Sequence, residues 1–296
     1  MRKILKALWW ILTSPFRLIF WIFTGLPRAI LNGFRRFHHF FTAEIDEEST
    51  VTDAVAKTIS NPSGLLEHLD ALRKHLLRAV LALVVTTAVA FSFNHTILEL
   101  LTAPLEGGLE SLVAIDVTEP IGTVMRVALL SGFTLAFPYI FYELWLFIAP
   151  GLAPKSRFKS LLSIPIATLF FIGGMAFAYF IMLPAALPFL LNFMGIATIP
   201  RPSSYITFVT GLMFWIGVAF EFPLVIFLLA SLGMIKAKML QEQWRLAIVI
   251  MAVISALITP TVDPVNMSLV MGPMILLYLL SIILAKLAQR NLNTQP

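Results

Sequence analysis

Six apolar stretches, each bounded by charged residues, Gly or Pro, run through the chain at about 76–94, 124–142, 161–184, 205–230, 245–258 and 267–285. Most approach the roughly 20 residues a helix needs to cross a hydrocarbon core, so the pattern predicts six transmembrane helices. The fifth and sixth are expected to be short. The apolar run from Leu246 to Ile258 rises only about 20 Å, against a hydrocarbon thickness of roughly 30 Å. Such helices thin the bilayer locally or lie behind partners. Pro184, Pro188 and Pro223 interrupt or end their helices, which predicts a bent, concave bundle.

Ahead of the first span, residues 64–78 read as an amphipathic helix running into it. Leu65, Leu69, Leu72 and Leu76 form an apolar stripe, and Glu67, Asp70 and Lys74 a polar one at i, i+3 and i+7. Further upstream the pattern changes. Residues 1–45 are crowded with Trp9, Trp10, Phe16, Phe20 and Trp21, broken by Pro15, Arg17, Pro27, Arg28, Arg35 and Arg36. Trp and Arg favour the headgroup region, so this arm is expected to lie on the membrane surface or dock a partner. The competing reading is a seventh span over about 7–26. A signal peptide fits poorly, because no small-residue cleavage site follows. Residues 46–63 read as a polar linker, 64–288 as the six-helix domain and 289–296 as a polar tail.

Composition agrees with a membrane chain. Of 296 residues, 59% are hydrophobic and 12% charged, with a mean hydropathy of +0.90, whereas soluble domains carry about 25% charged residues. The net charge of +5 is unevenly placed: all but Arg126 and Arg201 of the 21 Lys and Arg residues fall on one side of the predicted spans. The first loop on the other side carries Glu99, Glu106, Glu110, Asp116 and Glu119. Lys- and Arg-rich short loops stay cytoplasmic, so both termini are expected in the cytoplasm.

Catalytic chemistry is not expected. Cysteine is absent, and His38, His39, His68, His75 and His95 match no zinc-protease spacing. No glycine-rich phosphate loop occurs, and Gly173-Gly174 is better explained by close helix packing. No enzyme activity, metal, cofactor or nucleic-acid partner is therefore expected. Glu221 stands apart, because it lies near the middle of the fourth span, where a carboxylate costs a few kcal/mol. It is either a functional group facing a wet cavity or a neutral acid capping backbone freed by Pro223.

The motifs follow a known order. His68-Leu69-x-x-Leu72-Arg73-x-x-Leu76 resembles the H-L-x-E-L-R-x-R-L motif of the TatC family, the six-span receptor subunit of the twin-arginine protein translocase. Phe147-x-x-Pro150-Gly151-Leu152 resembles that family's F-x-x-P-G-L. Phe177-Ala178-Tyr179-Phe180 with Pro184, Tyr205-x-x-Phe208, Gly217-x-x-Phe220-Glu221-x-Pro223 and Thr259-Pro260-x-x-Asp263-Pro264 continue the series. The resemblance covers about 64–288 and implies a receptor in the bacterial inner membrane for precursor proteins whose export signals carry paired arginines. Single-span Tat subunits would join it to pass folded proteins. The acids available for a modified signal-peptide site are Glu67, Asp70 and Glu143, with Arg73 standing where the resemblance places it. Glu221 is the implied intramembrane group, and Trp9, Trp10, Trp21 and Thr259 are candidate partner contacts. Carboxylates suit such signals, since they accept arginine's planar fork bidentately.

Three positions depart from the family pattern: Ala71 and Ser156 stand where it has recognition glutamates, and Met267 where a glutamine is usual. An alternative is therefore a TatC-derived structural or assembly subunit of another membrane complex, docked through residues 1–45. A small-molecule transporter with Glu221 as its proton site is a third reading, without inverted repeats to support it.

Overall fold

The computed structural model describes residues 62–151, 157, 160–192, 195, 198–259 and 263–293. The arm 1–45 with Trp9, Trp10 and Trp21, the alternative span over 7–26, nearly all of the linker 46–63, and Ser156 lie outside the described residues, as does the side chain of Glu67. The chain divides into two compact units, residues 66–148 with 162–296, and residues 1–65 with 149–161. In the second, a 3-10 turn at Ala149–Gly151 is followed by Arg157, which is buried and donates to the Pro150 carbonyl at 3.5 Å.

The first unit is helical, with no strand among the described residues. Its elements are α1 (Pro62–Phe91, within this unit from residue 66), α2 (Asn94–Thr102), α3 (Glu119–Ile148), α4 (Ser163–Phe177), α5 (Leu183–Leu191), α6 (Pro202–Ser231), α7 (Ala237–Glu242), α8 (Trp244–Ile258) and α9 (Pro264–Asn293). The amphipathic stretch and the first span are one continuous helix, α1, as expected. Between α4 and α5 the chain passes through a π-helical segment, Ala178–Met182, so that Ser163–Leu191 forms one apolar length. Pro184 explains the local register change, because it has no amide hydrogen and its ring crowds the carbonyl one turn back.

Five lengths are long and apolar enough to cross a membrane: His68–Phe91, Glu119–Ile148, Ser163–Leu191, Pro202–Ser231 and Pro264–Gln289. The fifth predicted span, α8, is short at 15 residues, a rise of about 22 Å. The sixth differs from expectation, since α9 has 30 residues rather than a short run over 267–285. Its start is set by Asp263, whose Oδ1 accepts the amide of Asn266 at 2.8 Å while Pro264 takes the first helical position. Its end runs through Lys286 and Gln289, polar residues that stop an apolar run but not a helix.

α6 is central and packs against α3, α4 and α9. Gly174 of α4 and Gly217 of α6 meet at the crossing, where a Cβ on Gly174 would lie 2.9 Å from the Gly217 Cα. Beside it Phe137 and Phe171 stack at 4.2 Å, and Phe133 meets Phe171 and Phe214 edge-on. α1, by contrast, buries almost none of its span. It touches α3 through Thr86, whose hydroxyl donates to the Gly132 carbonyl at 2.8 Å.

At the end of the bundle where α1 stops and α3 and α6 begin, α2 and the 3-10 turn Gly108–Ser111 form a cap. The Tyr179 and Tyr205 hydroxyls donate to the Leu100 and Leu101 carbonyls at 2.6 and 2.9 Å. Glu119 receives Arg201 at 3.0 Å and the Ser203 hydroxyl at 3.2 Å.

Candidate functional site

At the opposite end, α1 is fastened to the last two turns of α3 by one carboxylate. Glu143 is 2% exposed, and its Oε2 lies 2.6 Å from His75 Nδ1 and 3.3 Å from Arg78 Nη1. Its Oε1 accepts the Tyr139 hydroxyl at 2.7 Å, from one turn earlier on the same helix. A carboxylate facing Arg78 is acceptor-only, so His75 donates from Nδ1. His75 and Arg78 are three residues apart and share a face of α1. One turn beyond Glu143, the Phe147 ring lies tilted against His68 at 4.5 Å and edge-on to His75 at 6.2 Å, extending the same seam.

The predicted site residues thus separate into two sets. Glu143 is already engaged by three donors, two from α1, and acts as a latch. Asp70 points elsewhere: its side chain is 57% exposed and among the described residues its ion pair is with Lys74, four residues on, at 3.0 Å. Exposed pairs of this kind contribute a few tenths of a kcal/mol, so an incoming guanidinium can displace Lys74 at little cost. Arg73 is exposed beside it. Leu69, Leu72 and Leu76, the expected apolar stripe, are also exposed, which leaves this helix with an acidic and apolar surface uncovered by the rest of the bundle.

Glu221 sits in α6 one turn past Gly217 and is 9% exposed. Neither carboxyl oxygen has a hydrogen-bond partner among the described residues, including the backbone that Pro223 frees, so the capping alternative finds no bond. An unsatisfied buried carboxyl is a costly arrangement to leave without use. Thr259 is buried at the end of α8, its hydroxyl donating to the Ser255 carbonyl at 3.0 Å. No hydrogen bond or ion pair among the described residues links Asp70 to Glu221 or to Thr259.

Sequence reasoning missed His75 and Arg78 as partners of Glu143. One signal was available: His75 stands where the quoted family motif has its second arginine, a cationic position one turn before Arg78. The pairing itself spans 68 residues and has no local trace.

The sequence and the fold have parallels among known proteins. A family model described as Sec-independent protein translocase protein (TatC) matches residues 67–273. A curated TatC protein of Carboxydothermus hydrogenoformans is 34% identical over 227 residues, covering 76% of this chain and 93% of its own length. One of Aquifex aeolicus is 36% identical over 233 residues, covering 77% and 96%. A crystal structure of a twin-arginine translocase receptor, TatC, superposes with a TM-score of 0.65 at 34% identity, covering 75% of this chain and 99% of that one.

Proposed function

The chain belongs to the TatC family of Sec-independent protein translocase proteins, and from that membership we propose that it is the receptor subunit of a twin-arginine translocase. It sits in the bacterial cytoplasmic membrane with both termini inside. There it binds export signals carrying paired arginines and gathers single-span partner subunits for passage of folded proteins. Asp70 and Glu67 supply the carboxylates on α1 and Arg73 orients the approach. Glu143 contributes from beneath by holding α1 in place, Glu221 serves within the membrane, and the α8–α9 junction shaped by Thr259 contacts a partner. Trp9, Trp10 and Trp21 anchor the arm to lipid or to a second membrane complex.

The observation that carries this reading is the division of α1 into a clamped face and a free one. His75 and Arg78 are held on Glu143, while Asp70 stands exposed with a weakly held lysine. Each charge-assisted bond contributes about 1.5–3 kcal/mol. The double substitution Asp70→Ala with Glu67→Ala is therefore expected to weaken cross-linking of a twin-arginine signal peptide to the full-length protein roughly tenfold or more. A twin-lysine peptide should bind the native protein less well, because it lacks the fork. Unchanged binding in the double variant overturns this assignment and favours the assembly-subunit alternative.

Glu221→Gln preserves shape and polarity but removes ionisation. It is expected to leave signal binding and complex mass unchanged while reducing transport of a folded precursor into membrane vesicles. Native transport rates in that variant would make the role of Glu221 purely structural.

A further inference from the structure

We propose that the groove between α8 and α9 is a binding site for one anionic phospholipid of the cytoplasmic leaflet. The groove encloses about 570 Å³ and is lined by Gln241, Trp244, Ile248, Tyr278, Leu279 and Ile282, among others, a size within the roughly 300–1,000 Å³ of small-molecule clefts. Its origin is the short α8. α9 continues well past Tyr278 while α8 begins only at Trp244, so the longer helix presents an apolar wall that α8 does not cover. The Tyr278 hydroxyl, bonded to the Leu240 carbonyl, ties α9 to α7 at this step. An apolar recess facing a bilayer is filled by hydrocarbon, and an acyl chain lying along Ile275, Leu279 and Ile282 offsets the mismatch that α8 creates.

The charge at the rim selects the headgroup. Ile275, Leu279, Ile282 and Lys286 follow helical spacing along α9, so the apolar stripe ends in a cation one turn beyond Ile282. From the other wall, Arg245 lies over the Trp244 ring at 5.6 Å, adjoining the groove. Neither Arg245 nor Lys286 has an ion-pair partner among the described residues. The neighbouring acid, Glu242, faces Lys238 at 3.7 Å in an exposed pair. An apolar trough whose lining helices carry two exposed cations, Arg245 next to Trp244 and Lys286 one turn past Ile282, matches an acyl chain topped by a phosphate of net negative charge. The inference shares only membrane orientation with the receptor reading and does not depend on signal binding.

Trp244 is the reporter. The full-length protein is placed in lipid nanodiscs containing a minority of phosphatidylglycerol or phosphatidylcholine with brominated acyl chains. Quenching of Trp244 is read as the difference from Trp244→Phe. Brominated phosphatidylglycerol is expected to quench at about tenfold lower mole fraction, the preference two interfacial cations confer. Arg245→Gln with Lys286→Gln should bring the two lipids to parity, and Ile282→Trp, which fills the groove and is read against the same variant carrying Trp244→Phe, should reduce quenching of Trp244 by both. Equal quenching by the two lipids in the native protein, a preference that survives the double substitution, or a co-purifying polypeptide that excludes both lipids would each overturn the proposal. Because Arg245 and Lys286 are exposed, the charge variant stays decisive even where Ile282→Trp fails to fold.

Discussion

Glu143→Ala is expected to destabilise the helix bundle by about 3 kcal/mol, toward the lower end of what breaking a buried ion pair costs. Three groups lose a partner at once. Tyr139 and His75 are left facing an emptied site, whereas Arg78, half exposed, turns to solvent or headgroups and recovers part of its solvation. Denaturant unfolding in detergent micelles measures the loss. Glu143→Gln should cost less, since the amide oxygen still accepts from Tyr139. A double-mutant cycle with His75→Ala separates the pair from the surrounding packing. A coupling below about 0.5 kcal/mol, the range found for independent sites, would show that the 2.6 Å contact holds nothing in place. The same variant carries a functional reading, because a loosened α1 should also lower signal-peptide affinity although Glu143 itself is inaccessible.

Gly174→Ala is expected to cost a further 2–3 kcal/mol, or about the upper range for overpacking, while Gly173→Ala costs nothing. The two glycines are neighbours, yet a Cβ on Gly174 meets the Gly217 Cα, the Ile216 carbonyl oxygen and Phe220 at 2.9 Å, and one on Gly173 meets nothing within 4 Å. Backbone cannot swing aside as a side chain can, so α4 and α6 must separate and the Phe137–Phe171 stack beside them loosens. At Gly173 the alanine gains helix propensity, worth up to about 1 kcal/mol. Gly217→Ala should be intermediate, because there the obstacles are the Phe171 ring and the Met175 side chain. Unfolding midpoints in one micelle system rank the three. Equal loss at Gly173 and Gly174 would mean that the crossing is not where the structure places it.

Much of this architecture was legible because hydrophobic runs report membrane spans directly. Each of the six predicted stretches corresponds to a helix, and the short α8 was read from Leu246 to Ile258. The misjudged length of α9 has a simple cause: hydropathy marks where a helix leaves hydrocarbon, not where it ends. α2 escaped notice because its nine residues are too few to produce a periodic signal. The packing glycine was visible only as a pair, and which of the two faces α6 is decided by the rotation of α4. Glu221 stood out because a mid-span carboxylate is costly wherever it points. Glu143 and Asp70, by contrast, looked alike as acids near the cytoplasmic face. Only the fold distinguishes them, through contacts between residues 68 positions apart that place one under a histidine and an arginine and leave the other in the open.

The cap held by Tyr179, Tyr205 and Arg201 has a consequence for biogenesis. Its bonds join segments separated by 79 and 104 residues, and Ser203 reaches Glu119 across 84. At a synthesis rate of about 5–20 residues per second, the ribosome needs roughly 5–20 s to deliver Tyr205 after Leu101 has emerged. Throughout that interval α1, α2 and α3 exist as a nascent hairpin whose Leu100 and Leu101 carbonyls and Glu119 carboxylate await donors not yet made. The cap therefore closes only after the start of α6 has been made, and its bonds are among the late contacts of the fold.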